Sequence, residues 1–191
     1  MEKTIENSVE FSKHVSSKVL KGHKHIYLLG SGLAEIATKE GALKIKELTY
    51  THCQALNLGS NIANSFYSYM AAKLDTPILL TILESGNLES DLKVMEIIEN
   101  KLFMGAPRNA VVITDIKDVS ILNIFTKFTQ NPLNVHKIPK SGFLSALLSF
   151  IPLQRIAYDL TIEMGYDPDR PRNLAKELTT KWTNIRVYNS N

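Results

Sequence analysis

The sequence predicts an α/β fold in which a mostly parallel sheet is covered by helices on both faces. Three observations carry this expectation: continuous apolar runs at residues 26–29, 77–83 and 109–114, stretches of helical period between them, and glycine-containing turns at the exits of the first two runs. Strands that are apolar without alternation are buried on both sides, which is the environment of parallel strands joined by helical crossovers. Ligands of such sheets are expected at the carboxyl ends of the strands.

Taken in order, residues 5–20 place Val9, Val15 and Leu20 among polar partners at helical spacing and stop at Gly22, so a leading helix is expected. Ile26-Tyr27-Leu28-Leu29 flows into Gly30-Ser31-Gly32, a buried strand feeding the next helix. That helix carries Lys39-Glu40-Gly41-Ala42-Leu43-Lys44-Ile45-Lys46-Glu47-Leu48-Thr49-Tyr50. Wound as a helix, Glu40, Lys44 and Glu47 share a face, while Leu43 and Leu48 are expected to turn toward the core. Residues 60–74 read as a loop and then a helix with Ile62, Phe66, Tyr69 and Met70 at helical spacing. Residues 77–83 give a second strand, Ser85-Gly86-Asn87 a turn and residues 88–102 an amphipathic helix. Residues 109–114 form a third strand, 121–128 are ambiguous and 134–138 make a short later strand. Residues 143–164 are a long helix with a kink expected at Pro152, which removes one ladder bond. Beyond Gly165, Asp167-Pro168-Asp169-Arg170-Pro171 cannot be helical throughout.

Composition narrows the function classes. At 191 residues, 44% hydrophobic and 21% charged, the chain is ordinary for a globular protein with one full core. A net charge of +3 with lysines scattered among acids leaves no nucleic-acid footprint. No secretory leader is visible at the N-terminus, and the longest apolar run, residues 143–153, is too short for a bilayer, so no membrane partner and a cytoplasmic location are expected. Cys53, the single cysteine, fits a reducing compartment and reads as a packed thiol. His14, His23, His25 and His136 form no metal-ligand spacing, and no metal or other cofactor is proposed. Gly30-Ser31-Gly32 lacks the dinucleotide fingerprint and reads as a tight strand-to-helix turn.

Two distant motifs add a family resemblance. Glu40-Gly41-Ala42-Leu43-Lys44-Ile45-Lys46-Glu47 with Thr49-Tyr50 and His52, followed far along the chain by Ile151-Pro152-Leu153-Gln154 and Pro171-Arg172-Asn173-Leu174-Ala175-Lys176, resembles the isomerase half of the glucosamine-6-phosphate synthase family. The resemblance runs over about residues 24–180 and corresponds to the second of that family's two sugar-isomerase (SIS) lobes. It implies a three-layer α/β/α sandwich with a five-stranded, flavodoxin-like sheet. The expected organisation is a single SIS domain over residues 1–176, leading helix included, and a C-terminal extension over 177–191 that carries Trp182 and Tyr188.

By that resemblance, Glu47 is the carboxylate that moves a proton between sugar C1 and C2, Lys44 the cation that steadies the enediolate, and Lys176 the amine that forms an imine with the open keto sugar. Gly30, Ser31 and Ala175 are expected to contact the sugar phosphate. On pattern alone, Glu40, Lys44 and Glu47 read first as ion pairs on a solvated helix face, and it is the resemblance that makes them site candidates. One departure matters: Ala63 stands where the family has its ring-opening histidine, so another group such as His52 opens the ring or the isomerase cycle is broken. The loop Glu84-Ser85-Gly86-Asn87-Leu88 precedes a helix N-terminus, which favours anions, yet Glu84 and Glu89 would repel a phosphate. The resemblance therefore implies a hexose phosphate such as fructose 6-phosphate as ligand, with a homodimer or a partner SIS lobe supplying the phosphate contacts. A non-catalytic sugar-phosphate-binding or assembly module is the alternative.

Overall fold

The computed structural model describes residues 2–58, 75–102 and 107–172. Five strands form one sheet: β1 (His25–Gly30), β2 (His52–Asn57), β3 (Ile78–Ile82), β4 (Ala110–Thr114) and β5 (Val135–Lys137). Their order is β2-β1-β3-β4-β5 and every neighbouring pair is parallel. This is the flavodoxin-like order, whose strand sequence reverses between β1 and β3. Runs of Ile, Leu and Val make β3 and β4 buried along their whole length. Strand β2 was not among the runs singled out from the sequence. As an edge strand it is only partly covered, and His-Cys-Gln-Ala-Leu-Asn has no continuous apolar signal.

Among the described residues, five α-helices cover the sheet: α1 (Glu2–His14), α2 (Leu33–Thr49), α3 (Leu88–Ile97), α4 (Val119–Thr129) and α5 (Leu144–Glu163). On one face Ile26, Leu28, Cys53, Leu79 and Val111 pack against Phe11 of α1, Ala37 and Ile45 of α2, and Leu153 and Ile156 of α5. On the other, Tyr27, Leu29, Leu80 and Val112 pack against Val94 and Met95 of α3 and Phe125 and Phe128 of α4. The three-layer sandwich follows from this alternation. The ambiguous stretch at 121–128 is helix α4. Its start is set by Asp118, whose carboxylate accepts the N–H groups of Ser120 and Ile121, and its buried phenylalanines lie three residues apart. Pro152 sits buried inside one continuous α5, where Leu153, Ile156, Ala157 and Leu160 bury completely and hold the helix through the missing ladder bond. Gly22 and Gly165, both at positive φ, lie where the leading helix and α5 have ended. The helix expected within residues 60–74, Ala63 itself, and Trp182 and Tyr188 lie outside the described residues.

One buried group ties stability to pH. His136 of β5 stacks on Phe11 with ring centroids 4.3 Å apart, and its Nε2 lies 3.2 Å from Ser8 Oγ. The Ser8 hydroxyl proton goes to the Thr4 carbonyl at 2.7 Å, so Nε2–H donates to the Ser8 oxygen. Burial pushes this imidazole from 6.5 down to about 4. The unfolded chain thus takes up a proton before the folded one does. The contribution is fully present above pH 6.5 and is lost as pH falls from 6.5 toward 4. The complete loss is on the order of 3 kcal/mol. Between pH 7 and 5 the urea midpoint of wild type should fall by more than that of His136→Phe, which lacks the buried imidazole. A constant difference across that window would remove His136 as the cause.

Candidate functional site

The site is organised by α2, and α2 begins where it does because of Gly30. A Cβ there would stand 2.7 Å from the Ala34 carbonyl oxygen, so only glycine lets β1 turn this tightly into the helix. Along α2 the buried positions are Ala34, Ala37, Thr38, Gly41, Ala42, Ile45 and Thr49, a stripe of mostly small residues that brings the helix close to the sheet and to α5. Closest is Gly41, where a Cβ would meet Leu153 Cβ at 3.0 Å and Leu28 Cδ2 at 3.1 Å. The expectation that Leu43 turns inward is corrected. Ala42 and Ile45 take the core side, Leu48 is partly buried, and Leu43 stays 41% exposed beside Leu33 and Ile36.

On that outer face stand the three charged residues expected to share it. Lys44 Nζ lies 2.8 Å from Glu47 Oε2 and 3.8 Å from Glu40 Oε1, and all three side chains are half-buried. The hydrogen bond to Glu47 and the charges of both glutamates raise the Lys44 ammonium above its ordinary value against the opposing effect of burial. Lys44 is therefore held as a cation, suited to steadying a developing oxyanion and unsuited to accepting a proton. Glu40 and Glu47 are the carboxylates of this cluster, and Glu47 is the nearer to Lys44. Lys44 and Glu47 are brought together; Lys176 and Ala175, the expected imine-forming and substrate contacts near the chain end, lie outside the described residues.

Gly30 and Ser31 occupy the opposite end of the helix. Counting from Leu33 at the start of α2 to Glu47, the helix rises about 20 Å. The expected contacts Gly30 and Ser31 and the pair Lys44–Glu47 therefore do not line one sugar-sized site on this chain. The Ser31 hydroxyl donates to Asp91 Oδ2 at 2.8 Å, and a Cβ on Gly86 would sit 3.2 Å from Ser31 Oγ. Asp91 is fully buried, its Oδ1 has no hydrogen-bond partner among the described residues, and burial raises its carboxyl above the ordinary range. Glu84 donates its N–H to Asp115 at 2.8 Å and pairs through its side chain with Lys140, while the Asn87 side chain caps α3 by accepting the Ser90 N–H at 3.1 Å. The helix start is thus already capped, and the acids that flank it, Glu84 and Glu89, are each paired with a lysine, Lys140 and Lys93.

His52, considered as a substitute ring-opening group, sits on the wrong face. Cys53 packs on the α2 side, so His52 and its register partner His25 project to the other side of the sheet, where their Nδ1 atoms lie 3.3 Å apart. Burial pushes the Cys53 thiol up to about 12, which makes it an unreactive packed group. Among the described residues no group of three or more His, Cys, Asp or Glu is placed to hold a metal ion.

The sequence reading passed over a cluster at the C-terminal end of α2. Tyr50, the helix C-cap, accepts the Arg172 backbone N–H on its phenol oxygen at 2.6 Å. The Arg172 guanidinium lies 4.0 Å from the centre of the Tyr50 ring and 5.7 Å from that of Tyr166, and the two rings meet edge to face at 5.2 Å. Both Tyr50 and Arg172 stand in the quoted motifs, but nothing in their spacing announces that they touch. The contact joins the two motifs in space.

No family model matches the chain. Over 169 residues it is 33% identical to glutamine–fructose-6-phosphate aminotransferase of Fusobacterium nucleatum, covering 88% of this chain and 25% of that protein. The corresponding protein of Aeropyrum pernix is 30% identical over 176 residues, with 87% of this chain and 25% of the relative covered. The chain thus spans about a quarter of the length of the curated relatives it matches. Among solved structures it superposes on the C-terminal domain of glucosamine-fructose-6-phosphate aminotransferase from Francisella tularensis with a TM-score of 0.68 at 20% identity, over 86% of this chain and 43% of that one. It also superposes on glucosamine-6-phosphate deaminase from Thermotoga maritima with a TM-score of 0.58 at 21% identity, over 88% and 44% of the two chains.

Proposed function

As a sugar-isomerase (SIS) lobe related to the isomerase half of the glutamine–fructose-6-phosphate aminotransferases, the chain is, we propose, one side of a hexose-phosphate isomerase site that acts on fructose 6-phosphate or a close relative. The Lys44–Glu47 pair on the outer face of α2 carries this reading. In the reaction Glu47 takes a proton from C1 of the open-chain imine or ketose and returns it to C2, and Lys44 balances the charge that builds on the enediolate oxygen. Lys176 supplies the amine for the imine, and Ala175 belongs to the same substrate-contacting stretch. Residues 1–176 act as one SIS unit, with 177–191 as an extension, in the cytoplasm.

Phosphate contacts come from a second lobe, because the Ser31 hydroxyl is already engaged by Asp91 and the start of α3 is already capped. The surface has room for that lobe. Along α5, Leu147, Tyr158 and Ile162 are exposed, and a groove of about 500 Å³ opens between this helix and Ile5 of α1, lined by Ile151, Gln154, Arg155 and Tyr158. Pairing through this face predicts a dimeric mass by light scattering at high micromolar concentration that reverts to monomer in Leu147→Lys. A monomeric wild type would remove self-association from the proposal.

Borohydride reduction with fructose 6-phosphate tests the chemistry. With this chain alone, little sugar should be trapped, since Ala63 stands in place of the ring-opening histidine and phosphate contacts are lacking. Adding a first lobe, or introducing Ala63→His, should produce an adduct located on Lys176 by mass spectrometry. Labelling that persists in Lys176→Met removes this lysine from the mechanism, and no labelling in any arm favours the non-catalytic module.

A further inference from the structure

Two exposed histidines meet at the end of the sheet opposite the β1–β3 crevice. His25 opens β1 and His52 opens β2, and the register makes them direct partners across the two parallel strands. The residues that follow them, Ile26 and Cys53, are buried on the α2 side, so both imidazoles leave the sheet on the other face. Their Nδ1 atoms lie 3.3 Å apart, the ring centroids are 5.2 Å apart and the ring planes cross at 66°. Two like nitrogens at that distance have one proton between them: one Nδ1–H donates and the other Nδ1 accepts.

The same spacing belongs to two ligands on one ion. Imidazole nitrogens bound to a tetrahedral Zn²⁺ stand about 3.3–3.4 Å from each other, so an ion can replace the shared proton with little movement of either side chain. In that exchange the Nδ1 proton passes through solvent to Nε2 of the same ring. Both imidazoles stay neutral, and each presents an Nδ1 lone pair to the ion.

The backbone holds the pair ready. The ladder between β1 and β2 runs from His25 and His52 to Gly30 and Asn57, with the chains about 4.8 Å apart. Only Tyr50 and Thr51 separate the end of α2 from the start of β2. Thr51 is buried, its N–H donates to Thr49 Oγ1 at 3.2 Å, and its hydroxyl reaches Met164 Sδ at 3.8 Å. The position of His52 is therefore fixed from both sides. His23, close by in sequence, is engaged elsewhere: its Nε2 accepts from Asn109 Nδ2 at 3.4 Å. His25 and His52 are 27 positions apart, which is no metal-binding spacing in the sequence; the pairing of the strands makes it one.

We propose that His25 and His52 form a two-histidine site for a divalent transition ion of the Zn²⁺ class, which fastens the edge strand β2 to β1. Two protein ligands leave the other positions to water, so the ion is held more weakly and exchanges more freely than in a closed four-ligand centre. The ligands come together only when the strands pair. The ion thus binds the folded chain in preference to the unfolded one and stabilises it by mass action. Nothing in this inference uses the isomerase reading.

Calorimetric titration of the full chain with Zn²⁺, with thermal melts in parallel, tests it. The parent should take up one ion on the pair, and Zn²⁺ at a hundredfold excess over its dissociation constant should raise the melting temperature by roughly 5 °C. His25→Ala and His52→Ala should each weaken binding by at least about tenfold and remove the rise in melting temperature. His23→Ala should leave both unchanged. With Cu²⁺ as a spectroscopic probe, electron paramagnetic resonance should show two imidazole nitrogens in the parent and lose that pattern in either variant. A parent that does not bind Zn²⁺ overturns the proposal, as do an affinity and a melting shift that survive both His25→Ala and His52→Ala. A loss in His23→Ala equal to theirs overturns it too. Both side chains are exposed, so the variants are expected to fold; if one does not, His25→Gln or His52→Gln takes its place under the same criteria.

Discussion

Glu47→Gln is expected to lower hexose-phosphate isomerisation by about 10²–10⁴-fold while leaving the melting temperature almost unmoved. The substitution keeps the shape of the side chain and its ability to accept from Lys44 Nζ, 2.8 Å away, and it removes only the basic oxygen. Its structural effect is small because the pair lies half-buried at the helix surface, where solvent screens it to at most about 1 kcal/mol. Lys44→Met should act differently. It removes a cation that two carboxylates hold protonated, so turnover falls through the enediolate step while Glu47 remains able to accept a proton. Both variants are to be assayed with a first lobe present, by exchange of solvent deuterium into the sugar and by thermal melts. A marked loss of melting temperature in Glu47→Gln with exchange intact would return Glu40, Lys44 and Glu47 to plain ion pairing.

Gly41→Val is expected to cost about 2–4 kcal/mol of stability, seen as a fall of roughly 5–10 °C in melting temperature. Gly41 is in the middle of the quoted motif, yet its reason is packing. The first added carbon already meets Leu153 at 3.0 Å and Leu28 at 3.1 Å, and the branched carbons beyond it have nowhere to go. Gly41→Ala should be nearly neutral, because the helix gains about 1 kcal/mol in propensity and gives it back in crowding. The partner is identified by a double-mutant cycle. Leu153→Ala alone costs about 2–5 kcal/mol, and Gly41→Val with Leu153→Ala should cost clearly less than the sum, since each fills the space the other disturbs. Strict additivity would mean that the outer carbons of Leu153, whose Cδ1 would lie 3.2 Å from the first added carbon, are not what holds Gly41 to its size.

How far the sequence could be read varies with the physics of each element. Strands β3 and β4 were legible because burial on both faces leaves an uninterrupted apolar run. Strand β2 was not, because an edge strand is half-covered and its polar residues erase that run. Helix α4 was ambiguous for a related reason: exposed Val119 and Ile124 blur its apolar stripe, and only the Asp118 cap, read together with it, settles the type. The shared face of Glu40, Lys44 and Glu47 followed from helical spacing, but the side to which Leu43 points did not, because spacing cannot say which of two apolar stripes meets the sheet. The Tyr50–Arg172 contact depends on how α5 returns the chain to the end of α2, which no local pattern encodes. The engagement of Ser31 by Asp91 across the β1–β3 crevice is of the same kind.

Helix α2 runs from the crevice between β1 and β3 to the opposite edge of the sheet, with Gly30 and Ser31 at one end and Glu47 at the other. In evolutionary terms this uncouples two kinds of change. The loops after β1, β3 and β4 are free to gain or lose charged and hydroxyl side chains without displacing the Lys44–Glu47 pair a helix length away. The outer face of α2 answers to a different selective pressure, set by whatever surface is laid against Leu33, Ile36 and Leu43. The two ends of α2 can therefore change independently, one with the loops at the crevice and the other with whatever meets the outer face of the helix.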